Sequence, residues 1–149
     1  MCLNKTILIT ITRLHHFIYI EKNEKVMETI TRYCIEKDIK NAKLSGIGAV
    51  RETEIGAYDT VAKEYIRKEF SGVLELISFE GNVTLKEGSP FVHAHVVLSD
   101  HQMGTLGGHL FETTVAAVGE FFLREFDGEA YRELNTDVGL PCICLDNQF

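Results

Sequence analysis

Three histidines in the middle of the chain have the residue type and spacing of metal ligands. His93 and His95 lie in an apolar, β-branched run that follows Pro90 and has the pattern of a strand. Side chains two residues apart in a strand lie on the same face, about 7 Å apart along the backbone, so both imidazoles can reach one ion. His109 is the third candidate, because the two glycines directly before it allow a close approach to a neighbouring strand.

The loop between these histidines is long enough to bring them together. The segment from Ser99 to Gly104 can reverse the chain and return His109 to the pair. Three neutral imidazoles suit a divalent cation, zinc above all, and leave a fourth position open for water or a ligand, as in catalytic zinc sites. The alternative is that these are ordinary histidines of a core or an interface. His101 lies in the polar loop itself and is expected to be solvated.

Composition and charge favour one cytoplasmic domain spanning residues 1–149. The chain has 149 residues, of which 45% are hydrophobic, so it can bury a core without disulfides. Fifteen Lys and Arg against 22 Asp and Glu give a net charge of -7, which opposes non-specific binding to phosphate backbones. The four cysteines form no disulfide framework, which fits a reducing compartment. The N-terminal apolar run is too short to span a membrane.

Hydrophobic periodicity predicts one helix and several strands. The helix is expected from an Asn23 N-cap to about Asp38, with an apolar stripe against a sheet. Ser71 and Gly72 have the residue types of a hairpin turn between two strands. The strands are expected at Thr6 to Ile11, His15 to Glu21, Ala42 to Asp59, Lys63 to Phe70, Val73 to Phe79, Phe91 to Leu98, Thr114 to Phe126 and Pro141 to Leu145.

These elements predict an α+β fold, a mostly antiparallel sheet with one main helix packed on it. His15 and His16 are adjacent in a strand, so their side chains face opposite sides and cannot bind one ion together. Both are expected at the surface or in an interface. Cys142 and Cys144 share the spacing of the histidine pair, but they are expected to be small apolar residues of a strand.

The histidine segment resembles the signature of the plants and prokaryotes conserved domain, the PPC domain. That signature is similar to G-x-P-x-x-H-x-H-x-x-L-S-D followed by G-G-H-L, and the chain has matching residues from Gly88 to Asp100 and from Gly107 to Leu110. Further similar segments are Gly46 to Val50, Tyr58-Asp59 and Gly72 to Asn82, so the resemblance covers most of the chain. It implies the same α+β fold and assembly of the domain with itself as a homotrimer.

A hydrolytic metal site would also need a general acid or base near the ion. Glu75, which matches a glutamate of the family, and Asp100, just after the histidine strand, are the candidate catalytic residues. Each also has a simpler interpretation. Glu75 can accept the remaining N–H of a metal-bound histidine, and Asp100 beside Ser99 is a good turn former.

The resemblance leaves three functions open. Prokaryotic PPC-domain proteins are commonly labelled DNA-binding or regulatory by analogy with plant relatives, but this chain lacks the AT-hook of those relatives, and Val73 replaces an arginine of their interaction segment. The second function is a metal-dependent enzyme or sensor that acts on a small anionic metabolite. The third is an assembly module in which the metal only holds loops together.

Overall fold

The computed structural model describes residues 8–12, 14–128 and 130–145, which contain one helix and nine strands. In chain order these are β1 (Leu8–Thr12), β2 (His15–Glu21), α1 (Val26–Glu36), β3 (Ala42–Asp59), β4 (Glu64–Phe70), β5 (Leu74–Lys86), β6 (Ser89–Ser99), β7 (Thr105–Glu125), β8 (Ala130–Asn135) and β9 (Leu140–Leu145). The predicted α+β fold is confirmed. Among these strands, only the β5–β8 pair is parallel.

The two longest strands, β3 and β7, pair with each other along most of their length. β3 also pairs with β5, β5 pairs with β6, and β6 pairs back onto β7. These four strands therefore close into a ring of hydrogen-bonded neighbours. The outer strands β1 and β2 extend the sheet beyond β7, and β8 and β9 extend it beyond β5.

The apolar stripe of α1 packs on the sheet as predicted. Its buried residues include Val26, Ile30 and Cys34, and the helix contacts β7, β6 and β2. In the core of the sheet, the rings of Phe79 and Phe121 pack edge to face with centroids 5.1 Å apart. Burial of large side chains of this kind is the main source of stability for a domain of this size.

The predicted hairpin turn at Ser71 and Gly72 is wrong. β4 pairs with the second half of β3, whereas β5 pairs with the first half, so the two strands are not neighbours. The chain reverses earlier, between β3 and β4, where the carboxylate of Asp59 accepts the backbone N–H groups of Val61 and Ala62. The hydrogen bonds of Asp59 stabilise this turn, so the chain has already reversed before Ser71 and Gly72.

Several strand bounds also differ from the prediction. β7 begins at Thr105 rather than Thr114, and β5 continues to Lys86. The sequence pattern predicts no strand at β8, because its apolar and polar residues do not alternate. Of the predicted first strand, residues 6 and 7 lie outside the described part of the chain.

The predicted N-cap at Asn23 is wrong as well. Asn23 has a positive φ of 75°, and the helix spans Val26–Glu36 without a side-chain cap from the residue that precedes it. Instead, the carboxylate of Glu112 on β7 accepts the N–H groups of Met27 and Glu28 at 2.8 and 3.1 Å. A carboxylate there satisfies two free donors and interacts favourably with the helix dipole.

The surface or interface position predicted for His16 is wrong, whereas His15 is exposed as predicted. His16 is 5% exposed. Its Nε2–H donates a hydrogen bond to the Glu125 carboxylate, with 2.8 Å between nitrogen and oxygen. Its Nδ1 accepts a hydrogen bond from the Tyr33 hydroxyl, also at 2.8 Å. The helix covers this face of β2, so a polar residue that points inward must find buried partners.

We predict that Glu112→Ala lowers the free energy of unfolding by about 1 kcal/mol, because two helix N–H groups lose their acceptor. Urea denaturation followed by circular dichroism measures the change. Glu64→Ala is the matched control, since the Glu64 side chain is exposed on β4 and makes no hydrogen bond or ion pair with a described residue. Equal losses in both variants would contradict a capping role.

Candidate metal centre

The three histidines predicted as ligands meet where β6 pairs with β7. His95 lies directly opposite His109 in the register of the two strands, and His93 lies two residues away on β6. One nitrogen of each ring lies within 4.8 Å of the others, and the ring centroids are 5.1 to 5.5 Å apart. Three imidazole nitrogens thus surround one point, which is a geometry that could hold a metal ion.

Two glycines set the position of His109. A Cβ atom on Gly107 would lie 2.5 Å from the carbonyl oxygen of Val96 on β6, and one on Gly108 would lie 2.8 Å from that of Gly56 on β3. Both distances are too short for a side chain, so only glycine lets β7 approach both neighbours. The close approach expected from the sequence is therefore present on both sides of the strand.

The ring of His109 has aromatic neighbours and an unsatisfied nitrogen. Tyr65 stacks on it at 4.8 Å between centroids, and Phe111 contacts it edge to face at 4.8 Å. Its Nδ1 is buried and has no hydrogen-bond partner among the described residues. A buried polar atom without a partner costs about 1–3 kcal/mol. A cation bound through Nδ1 would supply the missing partner, so the residues present fit a metal ion.

His93 contacts a guanidinium group that sequence analysis did not single out. Arg132 on β8 places Nη2 at 3.3 Å from Nδ1 of His93. The same nitrogen donates to Oδ1 of Asn82 at 2.9 Å, and Asn82 lies opposite His93 in the β5–β6 register. Asn82 could have been found from that register, whereas Arg132 belongs to the strand that the sequence pattern did not reveal.

Two of the three histidines have pKa values well below that of a free imidazole. Burial, aided by the positive charge of Arg132 and by His95, lowers the pKa of His93 to about 4. Burial also lowers the pKa of His109 to about 4, with further contributions from nearby groups that include His93 and Arg67. Both rings are therefore neutral at pH 7 and keep a lone pair for a metal ion.

The two predicted catalytic carboxylates lie away from the histidines. Glu75 is exposed on β5 opposite Ser99, which is four residues along β6 from His95, or roughly 13 Å at strand spacing. Asp100 accepts the N–H groups of Gln102 and Gly104, so it shapes the turn. Neither belongs to the cluster of potential ligands.

The remaining residues considered from the sequence are also outside the cluster. His101 is exposed in the turn that follows β6. Cys142 and Cys144 are half-buried on β9, and Cys34 is buried in the core, where desolvation raises the pKa of its thiol to about 12. Cys34 is consequently a protonated, inert core residue rather than a ligand.

Comparison with known proteins identifies relatives of the whole fold. The sequence profile of the Plants and Prokaryotes Conserved (PCC) domain matches residues 12–127. A plant- and prokaryote-conserved (PPC) protein from Pyrococcus horikoshii is 34% identical over 95% of both chains, with a TM-score of 0.82. A metal-containing protein from Archaeoglobus fulgidus is 33% identical over 95% of this chain and 98% of its own, with a TM-score of 0.81.

A third solved structure is similar in fold alone. It is a protein from Bacteroides thetaiotaomicron, provisionally described as DNA-binding, which is 23% identical over 95% of this chain and 99% of its own, with a TM-score of 0.90. None of the curated proteins is detectably similar to the chain. In the described part of the chain, no helix has the length and apolar character needed to cross a membrane.

The match to the PCC profile covers more than half of the chain, and two solved structures above 30% identity align with nearly all of it. The strands that carry the three histidines, β6 and β7, lie inside the matched residues. The chain belongs to the Plants and Prokaryotes Conserved (PCC) domain family, also called the PPC domain family.

Proposed function

We propose that this protein binds a divalent cation, zinc above all, through His93, His95 and His109. The observation that carries the proposal is the convergence of three ring nitrogens within 4.8 Å. One of these rings, that of His109, has a buried Nδ1 that no described residue contacts by a hydrogen bond. The Archaeoglobus fulgidus relative is described as metal-containing, which supports the proposal. Imidazole nitrogens suit zinc and other transition-metal ions, whereas magnesium and calcium prefer oxygen ligands.

We propose that the function is recognition of a small anionic metabolite at the cation. A three-histidine site leaves a coordination position open, and a cation there can polarise a bound oxygen or lower the pKa of water. Tyr65 and Phe111 cover the ring of His109 and limit water on that side. No carboxylate of the described residues belongs to the cluster, so binding or sensing is favoured over acid–base catalysis.

We infer that this chain does not share the DNA binding ascribed to some proteins of similar fold. The Bacteroides neighbour that has the label is 23% identical, which establishes the fold and nothing further. The net charge of -7 opposes attraction to a phosphate backbone. Salt-dependent binding of duplex DNA at physiological ionic strength would contradict this conclusion.

We predict that His93→Ala and His109→Ala weaken metal binding on the order of 100-fold or more, because the loss of even an outer partner of a ligand costs about 10–100-fold. Elemental analysis and calorimetric titration of zinc into the chelator-treated protein provide the measurement. His101→Ala, an exposed histidine of the neighbouring turn, is the matched control and should keep its metal. Unchanged metal content in the His93 and His109 variants would place the ion elsewhere.

We predict that the metal-free protein loses stability as the pH falls from about 6.5 to about 4. The pKa values of His93 and His109 are lowered to about 4 in the folded state, so in this window the unfolded chain binds protons that the folded chain does not. The contribution of the two histidines to stability is therefore fully present above their pKa in the unfolded chain. It is lost as the pH falls towards their pKa in the folded protein. Urea midpoints of the chelated protein measure it.

Carboxylates titrate in the same window, so the comparison is with His109→Asn. This variant should show a shallower fall in stability between pH 6.5 and 4, because one proton-binding difference is gone. Equal slopes in both proteins would contradict the lowered pKa of His109.

We also propose that the protein assembles with itself, as a homotrimer. A groove of about 600 Å³ crosses β3, β5 and β7, and Ile47, Ile77, Met103 and Val118 line it. These four apolar side chains are between 40% and 77% exposed, with Glu75 and Glu120 also lining the groove. Exposed patches of this kind commonly mark protein interfaces, and a second copy of the chain is the occupant proposed here.

We predict that Ile77→Glu dissociates the assembly, since a buried charge without a partner is costly at an apolar interface. Sedimentation velocity gives the mass of the species in solution. Ile66→Glu is the control, because Ile66 is 65% exposed on β4 and does not line the groove. The same mass for wild type and Ile77→Glu would remove the groove from the interface.

A further inference from the structure

The charge next to the histidine cluster is positive on the side of Arg132. Three neutral imidazoles do not offset the charge of a divalent cation, and the cluster contains no carboxylate among the described residues. The guanidinium of Arg132 lies against His93 and has no carboxylate partner among the described residues. The nearby Arg67 is paired with Glu54, and Glu80, opposite His95, is paired with Lys43, so Arg132 supplies the uncompensated charge. A cation bound here would therefore add to local positive charge, which an anionic ligand would offset.

The guanidinium of Arg132 is held rigidly beside the cluster. Its Nε donates to Oγ1 of Thr84, its Nη1 donates to the carbonyl oxygen of Pro141, and its Nη2 donates to Oδ1 of Asn82, all at 2.9 Å. It also lies over the ring of Phe91, 5.5 Å from the ring centre. These contacts come from three strands and do not involve a histidine, so they can persist when a cation binds.

The remaining contact of Arg132, from Nη2 to Nδ1 of His93 at 3.3 Å, is incompatible with a bound cation. A neutral imidazole has one lone pair. If the cation binds Nδ1, that lone pair is used. If the cation binds Nε2, Nδ1 carries the proton, so the Nδ1–H of His93 faces an N–H of Arg132 and neither group can accept. In both cases one N–H of Arg132 loses its acceptor next to the cation.

We propose that Arg132 is the residue that recognises an anionic ligand at this site, donating the released N–H to a carboxylate or phosphate oxygen of the ligand held at the open position of the cation. The inference rests on the proposed function and names the residue that selects the charge of its ligand. An oxyanion replaces the lost acceptor and forms a charge-assisted hydrogen bond. Arg132 lies beyond residues 12–127 matched by the family profile, so the assignment depends on this chain alone.

The test uses the full chain loaded with Co²⁺, whose visible absorption reports changes at the ion. Inorganic phosphate and acetate are the two probes, and calorimetry gives their dissociation constants. Arg132→Gln should weaken both probes about 10-fold to 100-fold, the range for loss of a charge-assisted hydrogen bond. Arg132→Lys keeps the charge without the planar fork and should recover part of the loss.

The affinity for Co²⁺ itself provides a second measurement. Arg132→Gln should bind Co²⁺ at least as tightly as wild type, because a competing donor and a positive charge are removed. A merely structural role of Arg132 would instead weaken Co²⁺ binding. Arg124→Gln is the control, an exposed arginine on β7 that lies 15 positions along the strand from His109, and it should match wild type in both measurements.

Metal binding and the role of Arg132 are tested by different results. If wild type binds no Co²⁺, the proposed function fails. If Co²⁺ binds but both probes bind wild type and Arg132→Gln equally, or bind the metal-free protein as tightly, only the role of Arg132 is overturned. If Arg132→Gln does not fold, ¹⁵N NMR spectra of the Arg132 guanidinium in the wild-type protein test its role instead. A signal that moves with phosphate only after metal loading supports the role, and an unmoved signal overturns it.

Discussion

The pairing of β6 with β7 is the constraint on which the site depends. It places His95 opposite His109, and it closes the ring of β3, β5, β6 and β7. The pairing requires glycine at positions 107 and 108, where a Cβ atom would collide with backbone carbonyl oxygens on both sides. A side chain there would separate β7 from its neighbours and carry His109 away from the other two rings. The ligand geometry is thus a consequence of backbone packing rather than of side-chain contacts.

The parts of the site that depend on local rules could be predicted from the sequence. Alternation along a strand places His93 and His95 on one face, and a short loop followed by two glycines returns His109 to them. The parts that depend on distant residues could not. The first turn of the helix is capped by Glu112, which lies 85 residues from Met27 in the sequence. Arg132 contacts His93 from β8, a strand joined to the sheet by a short parallel pairing with β5.

The same distinction explains the error in the strand pairing. Serine followed by glycine is compatible with a hairpin, but β3 is long enough to give one half to β4 and the other half to β5. Asp59 determines which strand folds back first by binding two backbone N–H groups of the turn. A sequence shows where a chain can turn, whereas the choice between turns depends on competition between partners for the same strand edge.

The balance of charge at the site differs from that of the whole chain. The protein carries a net charge of -7, yet the guanidinium of Arg132 lies 3.3 Å from His93, and the positive charges of Arg67 and Arg132 both act on His109. At physiological ionic strength charges more than about 8 Å apart are largely screened, so a ligand at the cation responds to the local groups. A polyanion such as DNA would extend over many such lengths and meet the acidic surface, whereas a small anion at the histidines would lie beside Arg132. Burial is the main cause of the lowered pKa values of His93 and His109, and the arginine charge that adds to it would favour a compact anionic ligand over a nucleic acid.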